Sequence, residues 1–261
     1  MDHCFVIVCH NQKSWRLTEI LSAISGNHAI IVLNMPLGAP VLDWEVFQSI
    51  KNIRIIENFN IAGIAGGANA GAYFAIANGY ELLTFLDDDS IPSSNFAEIM
   101  RQRFLNSDKK SVLQPKQFSK SLFKIQLLNH SGMTLSGQLF EDLDGFRESL
   151  FIDLVDYEFG WRVQLQGFAI LDVCAVWLDH RLGQRVYKSK MLPNITVQSP
   201  LRHYYQARNA RILLREAKGK FKALLAVINI SVMLKLVFLV VINNSPKKRL
   251  SYFIKGLRDA R

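Results

Sequence analysis

The chain alternates short, continuous apolar runs with segments in which apolar residues recur at helical spacing. Five runs have the length and composition of buried β-strands: residues 5–9, 29–33, 52–56, 81–86 and 169–178. Helical spacing between the first two runs is carried by four residues, Leu17, Ile20, Leu21 and Ile24. Apolar strands that alternate with helices are typical of a mostly parallel sheet with helices on both faces. We therefore expect an α/β fold, with any chemistry at the carboxyl ends of the strands.

The composition is that of a globular protein with a large buried core. Of the 261 residues, 49% are hydrophobic and 20% are charged, which excludes intrinsic disorder and fibrous repeats. The three cysteines form no C-x-x-C pair and their number is odd, so neither a disulfide framework nor a structural zinc site is expected. The N-terminal segment has neither the basic flank nor the cleavage site of a secretory signal. We therefore expect the folded protein to stay in the cytoplasm.

The C-terminal part of the chain differs in charge from the rest. Residues 201–261 carry 14 Lys and Arg against two acidic residues, whereas residues 1–200 carry 17 against 20. We therefore expect a main domain, residues 1–200, and a helical tail, residues 201–261. Within the tail, 17 of the 20 residues 223–242 are apolar, and Lys235 is the only charge. An anionic membrane surface accounts for both features, whereas nucleic acid accounts only for the charge, so no nucleic acid is expected as a partner.

The apolar segment of the tail is long enough to cross a membrane, since a spanning helix needs about 20 residues. Lys235 lies inside this segment, where a charge is costly, and both flanks are basic. Two basic flanks that stay in the cytoplasm fit a helix lying on the membrane better than a single span, which would export one of them. We expect peripheral or monotopic attachment to the inner leaflet. A helix packed on the main domain is the alternative.

Three consecutive aspartates, Asp87–Asp89, follow the apolar run 81–86 directly. Adjacent carboxylates repel one another unless solvent or a cation is present. Carboxylate oxygens suit Mg²⁺ or Mn²⁺, which usually bind one or two protein carboxylates together with substrate phosphates. The triplet therefore indicates a cation site at a strand end, with a solvated acidic turn as the alternative.

Further polar residues stand in apolar or basic surroundings later in the chain. Asp153, Asp156 and Glu158 lie among Phe, Ile, Leu and Val, and burial of a carboxylate raises its pKa and suits it to general-base catalysis. Acids that favour a helix N-terminus are the alternative interpretation. His180 follows another apolar run, where a lone histidine is more often structural than a metal ligand. The basic and aromatic segment 199–209 could face a diphosphate, lipid headgroups or solvent.

These polar segments form one ordered set along nearly the whole chain. The set comprises Asn60-x-x-Gly63 with Asn69-x-Gly71, Leu86–Asp89, Gly145–Phe146 with Phe151–Arg162, His180-x-x-Gly183 and Arg202–Asn209. Its order resembles glycosyltransferase family 2, and within that family the bacterial rhamnosyltransferases that build O-antigen and other surface polysaccharides. The resemblance implies the GT-A fold, a nucleotide-sugar donor, a lipid-linked saccharide acceptor and inverting transfer with a divalent cation, Mg²⁺ or Mn²⁺. It places the protein at the cytoplasmic face of the bacterial inner membrane.

The resemblance also implies roles for individual residues. The family's D-x-D motif falls on Asp87–Asp89, so that Asp89 would bind the cation while Asp87 and Asp88 would hold ribose and diphosphate. Asp156 would be the catalytic base, and His180 would complete the metal site. Three other residues are assigned to the nucleotide sugar: Asn11, Asn69 and Arg208. Six residues are assigned to the acceptor side: Ser131, Gly132, Asp153, Glu158, Trp161 and Arg162.

The sequence departs from the family at Leu33. In a V-D-N-type motif the family usually has an aspartate there that reads the nucleobase, whereas this chain has Val32–Leu33–Asn34. Either another residue reads the base, or nucleotide recognition is altered. One alternative function is a catalytically impaired GT-A scaffold in a membrane polysaccharide assembly complex. A nucleotidyltransferase is the other, although it would need a Gly-rich basic loop where His10–Asn11–Gln12 stands.

Overall fold

The computed structural model describes residues 1–10, 14–36, 47, 50–108, 110–116, 125–180, 186–187, 195–196, 198–241 and 245–260. The chain divides into two compact units. Unit 1 comprises residues 1–119, 127–151 and 155–181, and unit 2 comprises residues 120–126, 152–154 and 182–261. The domain boundary that we expect at residue 200 falls within unit 2 and stays a prediction.

Unit 1 is built on a seven-stranded sheet with strand order β3-β2-β1-β4-β7-β6-β8. Its strands are β1 (His3–Cys9), β2 (His28–Leu33), β3 (Ile53–Glu57), β4 (Leu82–Asp87), β6 (Val112–Pro115), β7 (Thr134–Ser136) and β8 (Ile170–Val173). Strand β1 pairs in parallel with β2 and β4, β2 with β3, and β6 with β8, whereas β7 runs antiparallel to β4 and β6. The mostly parallel sheet predicted from the sequence is confirmed. A separate antiparallel pair joins β5 (Ser90–Pro92) to β9 (Leu178–His180).

Helices α1 (Ser14–Ala23) and α3 (Phe96–Leu105) cover one face of the sheet. Phe5 and Ile7 of β1 belong to one buried cluster with apolar residues of both helices. The four apolar residues that predict a helix after β1 are members of this cluster. The helical spacing in the sequence therefore does mark a face that packs on the sheet.

Helix α2 (Gly63–Ala77) covers the opposite face and lies very close to it. Since successive side chains of a strand point to opposite faces, Val6 of β1 points away from the cluster that holds Phe5 and Ile7. A methyl group added to Gly71 would lie 2.4 Å from Val6 Cγ1. The glycine-rich composition of α2 thus allows its backbone to approach the strands.

An aromatic cluster packs beside β4, together with helices α4 (Gly137–Asp142) and α5 (Val155–Leu165). The ring centroid of Phe146 lies 5.2 Å from that of Phe85 and 4.9 Å from that of Phe159. A short 3₁₀ helix, Glu148–Leu150, connects this cluster towards α5. The loop that contains Phe146 is therefore held by aromatic packing within unit 1.

Unit 2 contains three long helices, α6 (Pro200–Glu216), α7 (Gly219–Val241) and α8 (Pro246–Asp259), and the antiparallel pair β10 (Val186–Tyr187) with β11 (Ile195–Thr196). Helices α6 and α8 lie so close that a methyl group on Gly256 would be 2.3 Å from the Tyr204 carbonyl oxygen. Buried Arg249 of α8 donates to the Gln198 carbonyl at 3.0 Å and lies 2.9 Å from His203 Nε2. The apolar C-terminal helix predicted from the sequence is present as α7. Within the described part of the chain, α7 is the helix that is long and apolar enough to cross a membrane.

Candidate functional site

The three aspartates lie at the carboxyl end of β4, where the sequence predicts chemistry. Asp87 is the last residue of β4, and Asp88 and Asp89 form the turn that follows. All three side chains are partly exposed. The His10 backbone N–H donates to Asp88 Oδ2 at 3.0 Å, and the Arg16 guanidinium donates to the Asp89 carbonyl at 3.4 Å. Contacts from the β1 end and from α1 therefore hold the turn while its carboxylates remain accessible.

Pairing of β5 with β9 brings His180 next to this turn. Ser90, the residue after Asp89, is directly opposite His180 in the antiparallel register. The structure describes the backbone of His180 but not its side chain. Asn11, which we predict to contact the nucleotide sugar, lies outside the described residues. The metal role of His180 and the donor role of Asn11 both stay predictions.

His130 contacts the aspartate triplet, and the sequence analysis did not identify it. Its Nδ1 lies 3.1 Å from Asp87 Oδ1, and its ring packs 5.6 Å from Phe85 and 5.4 Å from Phe146. The residue is 9% exposed. Its buried Nε2 has no hydrogen-bond partner among the described residues. The signal that could have found it is its position directly before Ser131–Gly132, which we do assign to the site.

Ser131 and Gly132 also lie against the end of β4. The Asp87 backbone N–H donates to Ser131 Oγ at 3.2 Å, and the Gly132 N–H donates to the Phe85 carbonyl at 2.8 Å. Gly132 has φ +85, and an added methyl group would be 2.6 Å from the Pro115 ring. Only glycine suits this position. The segment 130–132 thus packs against the end of β4 beside Asp87, and the acceptor roles of Ser131 and Gly132 stay predictions.

Asp156, the predicted base, lies on the first turn of α5. Burial raises the pKa of its carboxyl to about 6, while the charge of His130 lowers the pKa and that of Asp87 raises it. His130 and Asp87, which contact one another at 3.1 Å, thus both influence the charge of the Asp156 carboxyl. A carboxylate with this pKa is poised to accept a proton near neutral pH. The fold therefore places Asp156 within electrostatic reach of the end of β4.

The residues at the end of β4 fit a divalent cation that arrives with a diphosphate. Among the described residues, no group of three or more His, Cys, Asp or Glu side chains is arranged to hold a metal ion by itself. Mg²⁺ and Mn²⁺ need only one or two protein carboxylates when substrate phosphates supply further oxygens. The partly exposed carboxylates of Asp87–Asp89 provide that donor set.

Several residues assigned to the site are engaged in a neighbouring part of unit 1. Arg162 donates to both Glu158 oxygens at 2.8 and 2.9 Å, and it also donates to the Leu143 and Gly145 carbonyls. Asn69 accepts from the Phe146 N–H at 2.8 Å and donates to its carbonyl at 2.9 Å. These bonds fix the segment 143–148, as expected of buried polar groups that are satisfied internally.

An open pocket of about 700 Å³ lies beside these bonds and is lined in part by Asn69, Tyr73, Glu158 and Arg162. Trp161, on the same helix as Glu158 and Arg162, is partly buried. The donor role of Asn69 and the acceptor roles of Glu158, Trp161 and Arg162 stay predictions. The observed bonds of Asn69, Glu158 and Arg162 are those of residues that shape the wall of a pocket.

Asp153 and Arg208, also assigned to the site, belong to unit 2. Both oxygens of Asp153 accept from Arg202 at 2.6 Å. The guanidinium of Arg208 lies 5.8 Å from the ring centroid of Tyr205. An ion pair with this two-bonded geometry orients the segment 152–154 on α6. The acceptor role of Asp153 and the donor role of Arg208 stay predictions.

Leu33, which replaces the family's base-reading aspartate, is buried at the end of β2. The amide of the next residue, Asn34, donates to the Gly63 carbonyl at 2.7 Å and accepts from Asn58 at 2.8 Å. Asn34 therefore ties the end of β2 to the start of α2. At this edge of the sheet, neither Leu33 nor Asn34 offers a carboxylate to a nucleobase.

Comparison with known proteins finds similar proteins by sequence and by structure. No family model matches the chain. The chain is 27% identical over 241 residues to the dTDP-rhamnosyl transferase RfbF of Shigella flexneri, and the match covers 81% of this chain and 79% of that protein.

Among solved structures, S. aureus TarS 1-349 in complex with UDP-GlcNAc has a TM-score of 0.59 at 16% identity, covering all of this chain and 80% of that one. Mannosyltransferase PcManGT from Pyrobaculum calidifontis, in complex with GDP-Man and Mn²⁺, has a TM-score of 0.54 at 12% identity, covering 98% and 86%. The chain spans 43% of the longer S. aureus TarS structure. The resemblance predicted from the sequence is thus confirmed: the chain has the α/β fold of these GT-A-type glycosyltransferase structures and is similar in sequence to a bacterial dTDP-rhamnosyl transferase.

Proposed function

We propose that the chain is an inverting, metal-dependent transferase that moves L-rhamnose from dTDP-rhamnose to a hydroxyl of a lipid-linked oligosaccharide in O-antigen or related surface polysaccharide synthesis. Its similarity over most of its length to a dTDP-rhamnosyl transferase supports the donor. The observation that carries the proposal is the 3.1 Å contact of His130 with Asp87 at the end of β4, together with the influence of both residues on Asp156, whose pKa burial raises to about 6. Asp87 would then serve the diphosphate side of the site, and the raised pKa of Asp156 would suit that carboxyl to act as the base.

The two acidic groups have different tasks in this reaction. Asp89 would hold the divalent cation, with His180 as its second protein ligand, while Asp87 and Asp88 would contact ribose and diphosphate. Such a cation neutralises charge on the departing nucleoside diphosphate. Mn²⁺ in the complex of PcManGT with GDP-Man supports a cation in this fold. These partly exposed aspartates would therefore orient the donor with its anomeric carbon towards Asp156.

Asp156 would accept the proton of the acceptor hydroxyl while the oxygen of that hydroxyl attacks the anomeric carbon of the donor sugar. An alcohol has a pKa far above 7, so attack at neutral pH needs a base at this position. A single displacement by the acceptor, on the face opposite the leaving diphosphate, inverts the anomeric centre and needs no covalent enzyme intermediate. A pKa of about 6 leaves most Asp156 side chains ionised at pH 7.

His130 would fix the Asp87 carboxylate in its donor-binding orientation. With a proton on Nδ1, the ring donates to Asp87 Oδ1, and packing between Phe85 and Phe146 prevents the ring from turning away. The reaction would take place at the cytoplasmic face of the bacterial inner membrane, because a lipid-linked acceptor is held there. The basic, apolar C-terminal helices support an anionic membrane surface as a partner.

Nucleotide release from a panel of donors tests the proposal. Full-length protein is assayed with dTDP-rhamnose, UDP-GlcNAc and GDP-mannose, each with Mn²⁺, with Mg²⁺ and after chelation. We expect release to be fastest from dTDP-rhamnose and to depend on the cation. Faster turnover of a UDP- or GDP-sugar would contradict dTDP-rhamnose as the donor. Full activity after chelation would contradict the dependence on a cation. No release from any donor would favour a scaffold without catalytic activity. Retention of the anomeric configuration in the product would exclude the single displacement.

A further inference from the structure

One face of α7 is an exposed apolar stripe. Five residues form it: Ile230, Met233, Leu234, Val237 and Val241, which are 53–76% exposed. Their spacing of i, i+3, i+4, i+7 and i+11 places them within about 100° of one another around the helix. A contiguous exposed apolar surface of this kind marks an interaction site.

The opposite face of α7 is packed within unit 2. Leu224, Leu225, Leu236 and Leu239 are buried, and α7 lies against both α6 and α8. Because these leucines are already covered by protein, α7 exposes apolar residues on one face only. A helix that crosses a bilayer alone would have to give up this packing.

Lys235, the charge that interrupts the apolar run, also points into unit 2. Desolvation lowers the pKa of its amine, the carboxylate of Asp153 raises it, and the charges of Arg202 and Arg249 lower it. At 100° per residue, Lys235 lies about 140° from Ile230 around the helix. The lysine is therefore on the protein side of α7 and leaves the stripe without a charge.

Basic side chains surround the stripe at both ends. Five exposed lysines stand near the start of α7 or the start of α8: Lys218, Lys220, Lys222, Lys247 and Lys248. Helix α8 adds exposed Leu250 and Ile254 beside exposed Lys255 and Arg258. An apolar stripe bordered by cations is complementary to an anionic bilayer surface, where acyl chains lie beneath phosphates.

We propose that α7 lies in the plane of an anionic membrane, with the stripe inserted among the acyl chains and the flanking lysines at the headgroup phosphates. The inference rests on the membrane location in the proposed function and specifies the surface and orientation of contact. Both ends of α7 then stay on the cytoplasmic side. The lipid-linked acceptor and the enzyme would share one two-dimensional surface.

Vesicle flotation of the full-length protein tests the stripe. We expect Leu234→Asp/Val237→Asp to lose binding to vesicles of phosphatidylglycerol and phosphatidylcholine by about tenfold or more, and the unaltered chain to bind pure phosphatidylcholine weakly. Leu105→Asp, at an exposed leucine that ends α3 in unit 1, is the matched control and should bind like the unaltered chain. Unchanged vesicle binding by the double variant would overturn the proposal. So would light scattering that shows only the loss of a dimer in the double variant, because the stripe would then be a contact between two copies of the chain. Nucleotide release without acceptor should persist in the double variant. This assay tests the proposed function, whereas flotation tests the membrane contact, so failure of one can be told from failure of the other.

Labelling of single cysteines tests the orientation. In a Cys174→Ser background, Lys220→Cys and Ser251→Cys place one exposed thiol near each end of α7, while Cys4 and Cys9 are buried. A membrane-impermeant maleimide should label both thiols in inverted inner-membrane vesicles and neither in right-side-out vesicles. Labelling of either thiol from the periplasmic side would show a spanning helix and would refute the in-plane orientation.

Discussion

At the scale of single residues, Asp156 should separate chemistry from donor binding. Replacing it by Asn removes the base but retains the size of the side chain, so we expect transfer to fall about 10²–10⁴-fold while donor affinity measured by calorimetry stays nearly unchanged. Asp2→Asn, at an exposed acid that precedes β1, is the control and should leave both quantities unchanged. Loss of donor affinity in Asp156→Asn would argue against its role as the base.

Asp156 also sets the expected pH dependence of the turnover rate. The ionised carboxylate is the active form, and burial raises its pKa to about 6. The turnover rate at saturating donor and acceptor should therefore fall about tenfold per pH unit below that value and level off above it. A profile that stays flat from pH 7 to pH 5 would mean that another group accepts the proton.

His130 should act through Asp87, and two amide variants distinguish this role from a structural one. The amide nitrogen of Asn can reach the place of Nδ1, whereas that of Gln can reach the place of Nε2. We expect His130→Ala and His130→Gln to raise the donor KM about tenfold, the loss of one charge-assisted hydrogen bond, and His130→Asn to restore most of the affinity. Equal losses of stability and of kcat in all three variants would point to packing alone.

Sequence reasoning at this scale found acids that stand next to one another or next to apolar runs. It could identify Asp87–Asp89 because a strand ends there, and Asp156 because apolar residues surround it. It missed His130, since a lone histidine carries no pattern until folding places it 3.1 Å from Asp87. The bonds of Arg162 with Glu158 and two carbonyls are likewise tertiary, so a motif match cannot reveal them.

At the scale of elements, the glycines of α2 control how closely this helix packs on the sheet. Helix propensity alone predicts that Gly71→Ala stabilises the protein by about 1 kcal/mol. The added methyl group would lie 2.4 Å from Val6 Cγ1 and 2.8 Å from Val32 Cγ2, so we expect a loss of about 1–3 kcal/mol instead. Urea denaturation measures the free energy of unfolding, and Ala77→Gly at an exposed position of the same helix reports propensity by itself. Stabilisation by Gly71→Ala would refute the close packing.

The strands that the sequence predicts most clearly are those buried on both faces. Strands β1, β2 and β4 each lie within a predicted apolar run or overlap it. The run 169–178 was expected to form one strand, but it contains β8, a turn at Cys174–Ala175 and the start of β9, because β9 leaves the sheet and pairs with β5. The three-residue strand β7 is too short to show a period, so its antiparallel insertion between β4 and β6 was not predictable.

At the scale of the whole molecule, composition predicted that the C-terminal part of the chain is basic and apolar, but it did not predict which segments belong to each unit. The basic and apolar helices α6–α8 all lie in unit 2, as the charge asymmetry suggests. The short segment Ile152–Leu154 also belongs to that unit, although Asp156 nearby belongs to unit 1. Asp153 turns to Arg202 through an ion pair that only the folded chain forms, which explains why two acids three positions apart have different surroundings.

The pairing of Ser90 with His180 has a consequence for how the protein folds. These residues are 90 positions apart, and contacts between such distant parts of a chain form slowly because a long loop must close first. The cation site would therefore be assembled after the local helices. A nucleotide sugar that needs this site would bind only finished molecules, and it would draw the population towards the native state by mass action. In the cell, abundant donor would thus act as a folding aid for the enzyme that consumes it.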